Sequence, residues 1–277
     1  DKVDSEPEGI KEDPTAKKEV KSNNDPFKIK EVVHGFRKGK PVMLYKRITL
    51  RLRKQIETIS NAFAFRNVTK EKQVHGYKSG ILDQNGLHKI AYQDISIFDY
   101  KDSPKNKKVT IGILLDQSGS MNNGNRMNEA IQVVIAMTEA LKTIKGVELV
   151  VYGHTGDCGT YHDLDMIPYI DIKAGHKNAE YIAEAHPINE NLDGFAIRFI
   201  SNRMLDTNPV NHDNLHALFV LTDGVPHGNG YHAEEAFKHT KECVSEVIKK
   251  GQKFFAIGID NAFDNKQGDN IFGKGNY

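Results

Sequence analysis

The stretch Val109-Thr110-Ile111-Gly112-Ile113-Leu114-Leu115-Asp116-Gln117-Ser118-Gly119-Ser120-Met121 decides how this chain is read. Residues 109–115 are apolar almost without interruption. A run this short with no polar face predicts a strand buried on both sides of a sheet. It ends in one carboxylate and two hydroxyls, Asp116, Ser118 and Ser120, carried by a turn that Gly119 makes sterically cheap. Those are hard oxygen donors, the kind that suits Mg²⁺, Mn²⁺ or Ca²⁺.

Outward from that stretch the texture alternates. A helical period runs through Met127, Ile131, Val134, Ile135, Leu141 and Ile144, and a second strand is expected over 147–152. After a long connection, 195–205 reads as a helix and 215–221 as another buried strand. Residues 234–250 read as a helix with Phe237, Val244 and Ile248 inward, and 253–259 as a further strand. Strand–helix–strand alternation with continuously apolar strands predicts an α/β fold, a doubly wound and mostly parallel sheet. Ligands of such sheets collect at the carboxyl ends of the strands. The strand at 215–221 also ends in an acid, within Thr222-Asp223-Gly224. Two carboxylates on neighbouring strand ends would repel, and a bound divalent cation resolves the conflict. The plainer reading is that Asp223 caps a turn and the serines satisfy local backbone groups.

The composition excludes more than it names. Of 277 residues, 38% are hydrophobic and 27% charged, and Lys+Arg at 38 against Asp+Glu at 37 leaves a net charge of +1. Neither a nucleic-acid partner nor a strongly basic one is indicated by the overall field. The longest apolar runs fall far short of the roughly 20 residues that cross a bilayer, and no signal peptide opens the chain. Two cysteines, Cys158 and Cys243, exclude a disulfide framework and fit a reducing, cytoplasmic setting. The first residue is Asp rather than Met, so the chain is expected to be a piece of something longer.

D-x-S-x-S at the end of one strand and TDG at the end of a later one resemble the von Willebrand factor A domain, whose metal-ion-dependent adhesion site the first motif forms. That family's middle ligand is a Thr in a loop, and no Thr stands in the corresponding place. Instead Asn189-Glu190-Asn191-Leu192-Asp193-Gly194 precedes the helix at 195–205 and is similar to the ENIDGEAL stretch of CobT-type proteins, the von Willebrand-domain subunit of aerobic cobaltochelatase. GILLDQSGSM resembles that family's LLLDNSGSM, LTDGVPHG its ISDGAPVD, KFFAIGID its LIAIGIG, and GYKSGILDQNGLHKI its EGMLDPARL. The likeness spans roughly residues 44–260. It implies a metal set of Asp116, Ser118, Ser120, Asp193 and Asp223, with Asp193 in the Thr position and Mg²⁺ as the expected ion. It further implies a partner ATPase of the AAA+ MoxR/CobS class and a large chelatase-like client, the chain itself being non-catalytic. A stand-alone adhesion or ligand-binding module is the alternative, and a metal-dependent hydrolase the third reading. Ser118 lacks the G-x-S-x-G elbow, and the chain has no G-x-x-x-x-G-K-[ST] phosphate loop.

Three further expectations concern the rest of the chain. Half of the first 26 positions are charged, so 1–27 reads as a disordered segment. Residues 28–106 read as a helical extension and extended lead-in, with Leu52, Ile56, Ile59 and Phe63 on one helical face and Arg51, Arg53, Lys54 and Glu57 on the other. The sheet domain occupies 107–277, and its last 17 residues show no helical period. His154, Cys158 and His162, with Asp157, Asp163 and Asp165 nearby, are residue types that zinc or cobalt accepts, but the glycines among them argue for a polar loop.

Overall fold

The computed structural model describes residues 17–20, 28–32, 40–64, 72–77, 81–82, 98–102, 108–157, 163–211, 214–259 and 265–277. Strands β1 (Lys17–Val20) and β2 (Lys28–Val32) precede two helices, α1 (Lys40–Arg51) and α2 (Arg53–Ala64). Strands β3 (Lys72–Tyr77), β4 (Ile81–Leu82) and β5 (Phe98–Asp102) form a separate antiparallel sheet in the order β3-β5-β4. Then follow β6 (Lys108–Asp116), α3 (Arg126–Lys142), β7 (Val147–Gly156), β8 (Asp163–Asp171), β9 (His176–Lys177), α4 (Asp193–Thr207), β10 (Asn214–Thr222), α5 (Ala233–Lys249), β11 (Lys253–Gly258) and α6 (Asn265–Ile271).

The main sheet has the order β1-β2-β8-β7-β6-β10-β11, with β9 beside β8. β6 pairs in parallel with β7 and β10, and β10 with β11. β8 runs antiparallel to β7, and β2 joins β8 in parallel. The expected α/β, mostly parallel sheet is therefore observed. β6 sits where the strand order reverses, the crevice that serves ligands in sheets of this kind.

The period-2 alternation of a strand assigns each residue to a face. Ile111, Ile113 and Leu115 pack with Met127, Ile131, Val134 and Ile135 of α3. Leu114 faces the other way, with Val150 and Tyr152 of β7 and Leu218 and Val220 of β10, against α4 and α5. On this second face a Cβ at Gly112 would lie 2.4 Å from the Met204 sulfur, so the glycine lets α4 approach the sheet. Helices α1 and α2 lie against the α3 side: Leu44, Ile48, Ile59 and Phe63 join that core, and Tyr45 donates to Glu139 Oε1 at 2.7 Å.

Several expectations need correction. The helical pattern at 44–66 begins earlier, at Lys40, and is interrupted at Leu52, although bonds from Leu52 N to Ile48 O and from Ile56 N to Leu52 O carry the turn through. Within the charged leader, Lys17–Val20 is a strand, and Lys28–Val32 is a strand rather than part of a helical extension; the other residues of 1–27 lie outside the described ones. On α5, Ile248 is 44% exposed while Val247 is 1% exposed. The buried stripe of Ala236, Thr240, Cys243, Val244 and Val247 turns away from position 248. The carboxyl end does form a short helix, α6, because Ile271 and Phe272 have a core to enter beside Phe254.

Candidate functional site

The site forms where β6 and β10, adjacent and parallel, release their chains at the same edge. Asp116 is the last residue of β6 and Asp223 follows the last residue of β10. Both carboxylates are buried, at 0% and 3% exposure. The turn after Asp116 folds back on it: Ser118 N donates to Asp116 Oδ1 at 2.7 Å. The Ser118 and Ser120 hydroxyls lie 2.9 Å apart, and Ser120 donates to Asp223 Oδ1 at 2.7 Å. Four of the five expected site residues are thus joined in one hydrogen-bonded chain across the two strand ends. Ser120 is exposed, so the chain opens to the surface.

Asp193 arrives from another element. It is the first residue of α4, fully buried, where the positive end of a helix favours a carboxylate. Gly194 permits this approach, since a Cβ there would meet His239 Nδ1 at 2.5 Å and the Tyr231 hydroxyl at 2.9 Å. Asn191 links Asp193 to the rest: its Nδ2 lies 3.3 Å from Asp193 Oδ2 and 3.4 Å from Asp116 Oδ2.

The sequence reading does not single out Thr222, Arg126, Gln117 or Asn191, and each contributes. Thr222 donates to Asp116 Oδ2 at 2.7 Å. Arg126, the first residue of α3, places Nη1 at 2.8 Å from Asp223 Oδ2. Gln117 anchors the turn, accepting from the Tyr169 hydroxyl at 2.9 Å and donating to His186 O at 3.0 Å. Its amide crosses β7 at Gly153, where a Cβ would fall 1.9 Å from Oε1. His154 was read as part of a glycine-rich loop, and it is instead inside β7. The strand continues there because β8 pairs with it, Thr155 opposite Asp165 and Gly156 opposite Leu164. Asn191 and Thr222 were present within the quoted motifs; Arg126 had no signal. Cys158 and His162 lie outside the described residues.

The electrostatics are costly as they stand. Burial first, then the charges of Asp116 and Asp223, hold the Asp193 carboxyl well above the usual carboxylate range. Burial pulls the His154 imidazole down, and Asp116 opposes that effect. Asp193 Oδ1 and both His154 ring nitrogens have no hydrogen-bond partner. Among the described residues, no three His, Cys, Asp or Glu side chains already converge to hold a metal ion. The donors present are nonetheless chemically suited to one: carboxylate and hydroxyl oxygens, with a buried carboxylate oxygen left unsatisfied.

The sheet order, the reversal at β6 and the acid-ended turn at its carboxyl edge place the candidate site at the switch point of an α/β sheet. No family model and no curated protein matches the chain. Among solved structures it is similar to manganese-loaded TRAP protein of Plasmodium vivax, with 13% identity and a TM-score of 0.41 over 61% of this chain and 63% of that one. The PilB minor pilin of Streptococcus sanguinis is similar at 15% identity and a TM-score of 0.45, over 64% of this chain and 58% of that one. The von Willebrand domain of the type V pili tip protein Mfa5 of Porphyromonas gingivalis follows at 15% identity and a TM-score of 0.29, over 43% and 38%. The chain spans less than two thirds of each of these structures. Among the described residues no helix is long and apolar enough to cross a membrane.

Proposed function

We propose that this chain is a metal-dependent protein-docking module of the CobT type. Asp116, Ser118, Ser120, Asp193 and Asp223 would hold a divalent cation, with Mg²⁺, Mn²⁺ and Ca²⁺ as candidates. The observation that carries the reading is the Ser118–Ser120–Asp223 chain of oxygen donors joining two parallel strand ends. The cation would neutralise gathered carboxylates and fix the loops as a rigid platform. Docking rather than catalysis is favoured because the Ser118 hydroxyl faces another hydroxyl, not a base. The partner, an AAA+ ATPase of the MoxR/CobS class working on a large chelatase-like client in the cytoplasm, is carried by the motif resemblance alone.

Stand-alone ligand binding is the second reading. It is favoured by a groove of about 660 Å³ beside the turn, lined by Gly119, Asp157, Glu190, His227 and His232 among others. One experiment separates the two. Capture from the native host is run with wild type and Asp116→Ala, each with Mg²⁺ and with a chelator. An ATPase recovered only with wild type and Mg²⁺ is the expected result. Equal recovery with both proteins, or recovery of no ATPase, overturns the partnership.

A further inference from the structure

Every other acidic group at the strand edge is already engaged. Asp116 accepts from Ser118 N, Thr222 and Asn191, and Asp223 from Ser120 and Arg126. The unsatisfied atoms are Asp193 Oδ1 and the two nitrogens of His154, with His154 Nε2 at 3.4 Å from Asp193 Oδ1. Both side chains are fully buried. The two side chains meet only through that long 3.4 Å contact, without hydrogen-bond geometry, and His154 Nδ1 has no hydrogen-bond partner, so the pair keeps donor capacity that a ligand could use.

Their placement follows from the fold. His154 stands opposite Asp116 in the parallel register of β6 and β7. Register partners share a face, and Tyr152, two residues earlier, lies in the core covered by α4. Asp116, His154 and the leading residue of α4 are therefore brought to one buried space. That space offers an imidazole nitrogen beside carboxylate oxygens.

We propose that His154 supplies a nitrogen donor to the cation site, together with Asp193, and that the site prefers a borderline ion of the manganese-to-zinc series over magnesium or calcium. Imidazole is a poor partner for hard, tightly hydrated Mg²⁺ and a good one for the later divalent ions. The inference rests on the reading of Asp116, Ser118, Ser120 and Asp223 as the metal-holding loop.

The test uses metal alone as the probe. Mn²⁺, Zn²⁺ and Mg²⁺ affinities are measured calorimetrically for wild type, His154→Ala, His154→Gln and Asp116→Ala, with circular dichroism as the fold check. Pulsed electron paramagnetic resonance of bound Mn²⁺ reads nitrogen coupling directly in the wild type. We expect nitrogen coupling in wild type, its loss in both His154 variants, and at least a tenfold fall in the Zn²⁺-to-Mg²⁺ affinity ratio in them. Mn²⁺ that binds wild type without nitrogen coupling overturns the role of His154 and leaves the loop reading standing. Nitrogen-coupled Mn²⁺ that persists in Asp116→Ala overturns the loop reading and keeps the His154–Asp193 pair as an ion site. Absence of binding to wild type overturns both.

Discussion

Asp193 adds a buried carboxylate to those at the two strand ends, and its effect is electrostatic. With Asp116 and Asp223 it brings three carboxylates to one buried region; burial first, and then the charges of the other two, raise the cost of charging Asp193. A divalent cation relieves that repulsion, so the third carboxylate should strengthen cation binding and lessen the need for an acidic ligand from a partner. Asp193→Thr is expected to bind Mg²⁺ about tenfold more weakly, about 1.4 kcal/mol. Calorimetric titration checks it, and equal or tighter binding by the variant would refute the argument. At this scale the sequence was legible only where a residue sits inside a motif. Asp116, Ser118 and Ser120 share one turn, and their contacts are nearly local. Arg126 reaches Asp223 across 97 positions, and nothing in either residue's neighbourhood announces that pairing.

Among the elements, α5 shows how a helical period alone leaves a boundary undetermined. Val244, Val247 and Ile248 are all apolar and adjacent on the wheel, and only packing decides which side of the stripe is covered. Val247→Ala should destabilise the fold by about 2 kcal/mol, from two lost methylenes and the cavity they leave. Ile248→Ala should lie within about 0.5 kcal/mol of wild type. Urea denaturation of both variants measures the contrast, and a larger loss at position 248 would show the buried stripe to be wrongly drawn. β6 was readable because a parallel strand covered on both faces is apolar throughout. β8 was not, because Asp163, Asp165, Pro168 and Asp171 interrupt its apolar residues. Those polar positions have partners that only the fold supplies: Lys30 at Asp163 and the Tyr152 hydroxyl, 2.8 Å from Asp171 Oδ2. Similarly, His154 looked like loop because the antiparallel partner that extends β7 was itself unread.

For the whole molecule, acid sensitivity has an identifiable source away from the strand-end site. His216 of β10 is 2% exposed and receives Gln252 Nε2 at Nδ1, 3.1 Å away. Burial holds its imidazole below the ordinary value, with a backbone contact to Asn208 working the other way. As pH falls, the unfolded chain therefore takes up the proton first. Stability attributable to His216 is intact above about pH 6.5 and declines from there toward its lower folded value. His216→Gln should flatten the fall in melting temperature between pH 7.5 and 5; an unchanged profile would assign the acid sensitivity elsewhere.

The pairing of β2 with β8 sets a condition on when the sheet can close. Lys30 meets Asp163 across 133 positions of sequence. At about 5–20 residues per second, the early strand waits roughly 7–27 s during synthesis for the strand it must join. In that interval its edge is exposed to other chains. Lys28, Lys30 and Glu31, three of the five residues of β2, place charge along that waiting strand, the common defence of an unpaired strand against joining the wrong neighbour. The same charges are then consumed on closure, Lys30 by Asp163 and Glu31 by Arg203. One set of side chains thus serves first as a guard on the nascent chain and later as the latch of the finished sheet.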